Sequence, residues 1–421
     1  MLRGGSLFYA LAITVIMGLV SSSLLLAAYY TRLHLQRDEI REEVIRNSSS
    51  GLELIMDEQF ITGYNASADI DLFGNGTDSV LLETKPWGAF EIAIASAHNK
   101  SFRRTRIAAI GWKCEANDKT ALTIADLDRP LSITGNTKLT GDCYLPKSGI
   151  QRAYIEGQNY SGDKMVYGNI KAADRFIPNY NDTLVKRIKN LFEFQPANDD
   201  SIIHMEQFAA SDSIENSFLN KTLYIFSAGP IKIDDQKITG QVCIISLSAI
   251  RIGKNSSVHN ALLVAPYIEI ENETEGDFQA FARDSFHVGE KVHLHYPTVL
   301  GIIATVRSPD LAAMLIGEKT HIMGQLFACS IQNDFRKHVL IITGKESIVY
   351  GEIYSTDLLD HKGKVYGEVI CTKFQLKTPS AEYENHLMNA VIDRTKRSPE
   401  YVASALTRKR TDRKAIIQAL Q

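Results

Sequence analysis

A five-residue unit, apolar, any, Gly, polar, apolar, recurs wherever this chain reads as extended, and no other feature constrains its fold as strongly. It stands at Leu139-Thr140-Gly141-Asp142-Cys143, Val166-Tyr167-Gly168-Asn169-Ile170 and Ile238-Thr239-Gly240-Gln241-Val242. It returns at Ile322-Met323-Gly324-Gln325-Leu326, Val349-Tyr350-Gly351-Glu352-Ile353 and Val365-Tyr366-Gly367-Glu368-Val369. At the strand period of two, inward apolar side chains flank an outward polar one, with Gly where the backbone bends or is closely approached. Gly351 and Gly367 are 16 residues apart, and both Gly141 to Gly168 and Gly324 to Gly351 span 27, close to one or two turns of a parallel β-helix. Units that cannot bury their own apolar face must stack. Residues 117–376 are therefore expected to form a right-handed parallel β-helix, a β-solenoid.

The N-terminus carries a different signal. No charged residue lies between Arg3 and Arg32, and Ser6 to Tyr30 is almost continuously apolar. That meets the roughly 20 residues a spanning helix needs and exceeds the ~7–15 of a signal-peptide core. Residues 1–32 read as a retained single-pass anchor that partners the lipid bilayer through Ser6 to Tyr30, with Tyr29 and Tyr30 at the interface. Arg32, Arg37, Arg41 and Arg46 against Arg3 favour a cytoplasmic body, although the rule weakens for long domains. Leu33, Ile40 and Val44 then share one helical stripe. Asn47-Ser48-Ser49-Ser50-Gly51 reads as an interruption, and Ser50 with Glu53 as the capping box of a second helix through Phe60. Residues 33–61 make a helical stalk on this reading. From Ser79 to Trp112 three short strands give a small antiparallel α+β meander within 62–116, turning at Lys85-Pro86-Trp87-Gly88 and at His98-Asn99-Lys100-Ser101.

Arg3-Gly4-Gly5, followed at once by Ser6-Leu7-Phe8-Tyr9-Ala10 and the long apolar helix, resembles the N-terminus of type IV pilin-like proteins. In that family a segment is removed after a Gly and the apolar helix stays as an anchor, with the globular head outside the cytoplasm. The fifth position after the Gly, normally Glu, is Ala10 here, as in atypical minor or pseudopilin-like members. The second half, notably Pro130 to Pro146 and Val365 to Glu384, resembles bactofilin-like β-helices and membrane-anchored β-helix proteins of Bacteroidota. That resemblance implies a fold and no catalytic residues.

Lys171 to Thr222 departs from the repeat and reads as an insertion on the solenoid's side, with Asn181 and Asp182 capping a helix through Phe192 and a loop at Pro196 to Asp200. After Pro379 the spacing of Tyr383, Leu387 and Val391 suggests helices, so 377–421 is expected to be a helical cap with a basic tail, Thr407 to Lys414. That tail reads as a solvated helix face, or as a surface for anionic lipid.

Candidate chemistry is sparse. A net charge of -3 gives no global pull toward nucleic acid. Cys114, Cys143, Cys243, Cys329 and Cys371 show no metal-finger spacing. They read as buried apolar filler, with a Cys114–Cys143 disulfide as the alternative. His293 and His295, with His287 near, could face one side of a strand, but no further ligand accompanies them. Asp69 to Asp78 echoes a calcium loop, yet Phe73 replaces the fifth ligand and no Glu stands at the twelfth position. Asp199-Asp200 and Asp234-Asp235 are adjacent pairs with diverging side chains, unsuited to glycoside cleavage. No catalytic, cofactor or metal residues are assigned. The chain is expected to be a non-enzymatic structural or assembly protein of the bacterial envelope, pilin- or pseudopilin-like. Its solenoid body would stand outside the inner membrane, with protein partners and no nucleic acid. The alternatives are a cytoplasmic, membrane-tethered polymerising scaffold and a glycan-binding or glycan-cleaving β-helix.

Overall fold

The computed structural model describes residues 5–57, 67–72, 74, 76, 78–99, 102–195, 201–331, 337–407, 409 and 411–420. They fall into two compact units, Met1–Lys85 with Ala93–Ile107, and Pro86–Ile92 with Ala108–Gln421.

In the first unit a single helix, α1, runs from Gly5 to Met56. Its most apolar 18-residue window has a mean hydropathy of 2.2 and no burial, so this helix is long and apolar enough to cross a membrane. Its far end is built differently. Val44, Asn47, Ser48, Gly51, Leu52 and Ile55 are buried. The expected interruption at Asn47 to Gly51 is absent, and the segments expected as anchor and stalk form one helix. The hydroxyls that could have competed with the helix bond back into it instead, Ser48 Oγ and Ser49 Oγ donating to the Ile45 carbonyl at 2.8 and 3.1 Å. Gly51 marks a close approach, since a Cβ there would stand 2.8 Å from Val80 Cγ1 and 3.1 Å from Ala95 Cβ. Phe60 lies outside the described residues. The strands Ser67–Ile70 and Ser79–Trp87 pair antiparallel, as a meander requires.

The second unit is mainly β and largely parallel. Its 22-stranded sheet is assembled from short rungs, each in register with the next. The predicted glycines mark that register: Gly324 pairs with Gly351, and Gly351 with Gly367. A Cβ on Gly367 would come within 1.7 Å of the Gly351 carbonyl oxygen, and one on Gly351 within 1.9 Å of that of Gly324. Inside the rungs Ile244, Leu263, Ala280, Leu300, Leu326, Ile353 and Val369 form one apolar core. Burying each large member is worth about 1.5–3 kcal/mol.

The rungs do not stack in chain order. The ladder begins at Thr120–Ile124 and runs outward through Asp142–Leu145 to Ile170–Ala172, which is one edge of the described pairings. It restarts at Ser201–Ile203, at the opposite edge, and returns rung by rung. The last rung closes on the first: Val369 pairs with Leu122, and Val391 with Lys138. The segment between the two edges crosses the side of the stack, whereas Ser201–Ile203 and Ser213–Asn216, expected to lie in an insertion over 171–222, are rungs of the ladder. Tyr354 Oη donates to the Pro178 carbonyl at 2.9 Å, Tyr180 Oη to that of Ser330 at 3.3 Å, and Phe194 stacks on Tyr224. Helix α2, Asp182–Leu191, is capped by Asn181 as its sequence predicts. A one-turn helix, α3, Met205–Ala209, places Phe208 in the core near the Ser201 edge.

The expected C-terminal helical cap is not formed. Tyr383, Leu387 and Val391 lie in the strands Glu382–Glu384, His386–Met388 and Val391–Asp393. Two 3-10 turns follow, then the strand Arg413–Leu420 beside Phe102–Lys113. The i, i+4, i+8 spacing also satisfies strands broken by left-handed corners, here Asn385 and Asn389 with φ of +55° and +56°.

The glycine column sets an expected mutational contrast. Gly351 combines a φ of +148° with the 1.9 Å approach, whereas Gly149, φ +79°, would meet nothing within 4 Å. Gly351→Ala should cost at least about 3 kcal/mol and Gly149→Ala about 1 kcal/mol. Denaturant unfolding of the detergent-solubilised chain measures both.

Candidate functional site: a buried polar column

The residue after each repeat glycine is polar, and on a regular strand it would face water. In the middle of the stack it does not. Gln325, Glu352 and Glu368, which pair rung to rung, are 1%, 8% and 5% exposed, and Gln241 is 8%. Only at the ladder's edge does Asn169 stay exposed. The physical cause is cover: segments outside the ladder lie over this column and supply partners that water would otherwise provide.

Each position holds a named segment. Gln279, two rungs before Gln325 in the same register, accepts from the Ala89 amide at 2.7 Å and donates to the Trp87 carbonyl at 3.0 Å. Trp87 Nε1 donates to the Asn260 carbonyl at 3.0 Å, and Gln418 bonds the Asn260 side chain. Gln325 meets Ser404, and Gly324 accepts from Tyr401 Oη at 3.1 Å. Glu352 is the most heavily used. It accepts from Arg397 Nη1 at 3.0 Å, from Gln325 Nε2 at 3.1 Å and from Thr407 Oγ1 at 3.2 Å. Lys409 Nζ lies 2.5 Å from Asp118 Oδ2 and 3.4 Å from Glu368 Oε1.

The electrostatics follow from depth and distance. Burial pushes the Glu368 carboxyl up to about 7 against the pull of Lys409, with Glu352 and Asp118 adding like charge. Burial opposes ionisation of Asp118 too. The hydrogen bonds from the nearer Lys409 and from Thr120 outweigh it and hold that carboxyl well below the ordinary range. Lys409 is held above its ordinary value: burial works against its charge, but Glu368 and Asp118 prevail. Opposite charges so enclosed must be matched, because removing one partner leaves a bare buried charge.

Beside the column opens a cleft of about 700 Å³, with Cys114, Asp118, Arg394, Arg397 and Tyr401 among its walls. The Cys114 sulfur accepts from Arg394 Nη2 at 3.3 Å and from Arg397. Cys114 is half-buried and Cys143 buried, both as free thiols, so the disulfide alternative is not formed; Cys243, Cys329 and Cys371 are buried in the ladder, as filler would be. The column can clamp segments together. Its acids and bases are engaged by one another and turned away from solvent.

The structure also places the other residues singled out by sequence. The predicted solvated basic tail is engaged: besides Lys409, Lys414 pairs with Glu91 at 3.2 Å within the strand Arg413–Leu420. Arg408 and Arg410 lie outside the described residues. His293 stands beside His321 on the next rung, ring centroids 4.9 Å apart, and His287 and His295 join no metal-holding group among the described residues. Asp71 accepts from the amides of Gly74 and Gly76 at 2.8 Å each, which makes an acidic turn; Phe73, Asn75 and Thr77 lie outside the described residues. Asp234 pairs with Lys232 at 2.5 Å, Asp235 forms a corner with φ of +55°, and Asp199 and Asp200 are not described. Sequence reading missed the column because period two assigns it outward. The signal was present: Gln, Glu and Glu follow the three successive stacked glycines, with Arg and Lys concentrated in 394–414.

No family model matches the chain, and no curated protein matches it. Among solved structures, the chain is similar to the competence-associated pilin ComZ from Thermus thermophilus, at 8% identity over 91% of this chain and 98% of that one. The TM-score is 0.27.

The raised Glu368 carboxyl gives a signed expectation. A folded pKa above the unfolded value means that the folded state holds the proton more tightly, so stability falls as pH rises from about 4.5 through about 7. Glu368→Gln mimics the protonated form. It should match the parent at pH 5 and exceed it by about 1–3 kcal/mol at pH 8.5, read from unfolding midpoints at the two pH values.

Proposed function

We propose that this chain is a membrane-anchored structural or assembly protein of the bacterial envelope, its body a right-handed parallel β-helix held outside the cytoplasm by a pilin-like helix. The observation that carries the reading is the construction of α1. One end is apolar and wholly exposed, and the other is buried beneath Val80 and Ala95 without a break between them. An exposed apolar window of that length needs lipid or a protein partner to cover it. A helix continuous from that window into a folded head transmits position and force, as a flexible linker does not. The β-helical reading of the body is supported by the parallel rung-to-rung register, the single apolar core and the glycine column. The pilin-like and envelope reading leans on Gly5 followed by Ser6 to Ala10.

A second reading has its own observation. At the Ile170–Ala172 edge Tyr167 and Ile170 are 41% and 55% exposed, a surface another copy of the chain could extend, as a tethered scaffold would require.

The proposal expects the chain to stay in the membrane fraction through alkaline carbonate washing, and deletion of residues 6–30 to release it. A periplasm-dependent phosphatase fused after Gln421 should be active and a cytoplasm-dependent fluorescent reporter dark. The reverse pattern would overturn the extracytoplasmic body and leave the scaffold.

A further inference from the structure

One side-chain constellation on the outer face of the ladder is not used by the clamp or the anchor. Ser257 and His259 lie two residues apart on the strand Ser257–Ile270 and so point to the same side. Asp277 stands directly across from His259 on the next rung. The hydrogen bonds run through the ring in one direction: His259 Nε2 to Ser257 Oγ at 2.9 Å, and His259 Nδ1 to Asp277 Oδ1. A hydroxyl on one imidazole nitrogen and a carboxylate on the other is the arrangement that lets a neutral imidazole take a proton from the hydroxyl while the carboxylate fixes its tautomer.

We propose that Ser257, His259 and Asp277 form an acyl-transfer site that hydrolyses short-chain acyl esters presented to the outer face of the ladder. This goes beyond the anchoring role and does not depend on it. Ser257 Oγ attacks the ester carbonyl while its proton passes to His259 Nε2. The carbon–oxygen bond to the alcohol then breaks, and the departing alkoxide takes that proton. Water, deprotonated by the same nitrogen, attacks the acyl-serine and releases the carboxylic acid, restoring the hydroxyl. One ester and one water give one acid and one alcohol, and no oxidant or other co-reactant enters.

The surroundings set the substrate class. The His259 side chain is 39% exposed and lies on an open sheet face, so an ester carried on an extended molecule can reach it. An open face gives no slot for a long acyl chain, which limits the acyl group to a short one. One cation stands near for the developing oxyanion: Lys237 is paired across from Ser257. Lys237 also engages Glu215, and Glu275 lies on the other side of Ser257. The hydrogen bond to Asp277 raises the affinity of His259 for its proton, with burial and Lys237 opposing it, a direction that places the base limb of the rate, on which this imidazole must lose its proton, above the ordinary histidine range.

The test uses the full-length chain in detergent with a fluorophosphonate probe and 4-nitrophenyl acetate. The expected result is covalent label on Ser257, located by peptide mass spectrometry, and ester turnover that falls about 100-fold in Ser257→Ala and in His259→Gln. Asp277 is a positioning residue. Asp277→Asn should keep some labelling while slowing turnover and moving the base limb of the pH profile downward. Ser257→Ala removes one half-buried hydroxyl, and an unchanged melting temperature shows that it folds. The proposal is overturned if Ser257 stays unlabelled in the parent chain, or if folded Ser257→Ala hydrolyses the ester as fast as the parent.

Discussion

The 86–92 turn, residues 394–412 and the C-terminal strand are fastened to the ladder in the second unit through one line of polar side chains, most of them buried. Asn260, Gln279, Gln325, Glu352 and Glu368 each present hydrogen-bonding capacity that would be costly if left empty. Each is answered by the 86–92 turn, by residues 394–412 or by the C-terminal strand. An apolar seam would hold these segments as firmly but with little preference for position. A column of distinct donors and acceptors fixes which residue meets which rung, since a slip of one rung would set Arg397 against Gln325 or leave Glu352 without its cation.

The ladder itself was largely legible, because its signal is local and repeated. Gly at a fixed offset between inward apolar residues gives rung, register and core at once, and the stacking of Gly324, Gly351 and Gly367 follows that pattern. The long apolar helix was legible because length and hydropathy are enough. What was not legible depended on long-range contact. Ser48, Ser49 and Gly51 look like a break until the helix has a sheet to press against. Spacing of four after residue 380 looks helical until left-handed Asn385 and Asn389 turn it into short strands.

The candidate site shows the same division. The charges of residues 394–414 and the Gln and Glu of the repeat were visible separately, and nothing local joined them. Ser257, His259 and Asp277 are separated by so ordinary a spacing that only the pairing of their two rungs makes them a constellation. Conversely, His293 and His295 stood out in sequence as a pair, while the ring beside His293 in space is that of His321 on the next rung.

The ladder's broken chain order has an evolutionary side. Stacked repeats commonly lengthen by duplication, since a new unit needs only its neighbours. Here each rung added between Ser201 and Lys377 would push the two edges apart by about 4.8 Å, while the segment joining Ala172 to Ser201 keeps its length and its contacts at Tyr354, Ser330 and Tyr224. That segment works as a gauge, so a change in the number of rungs demands a matching change in the crossover.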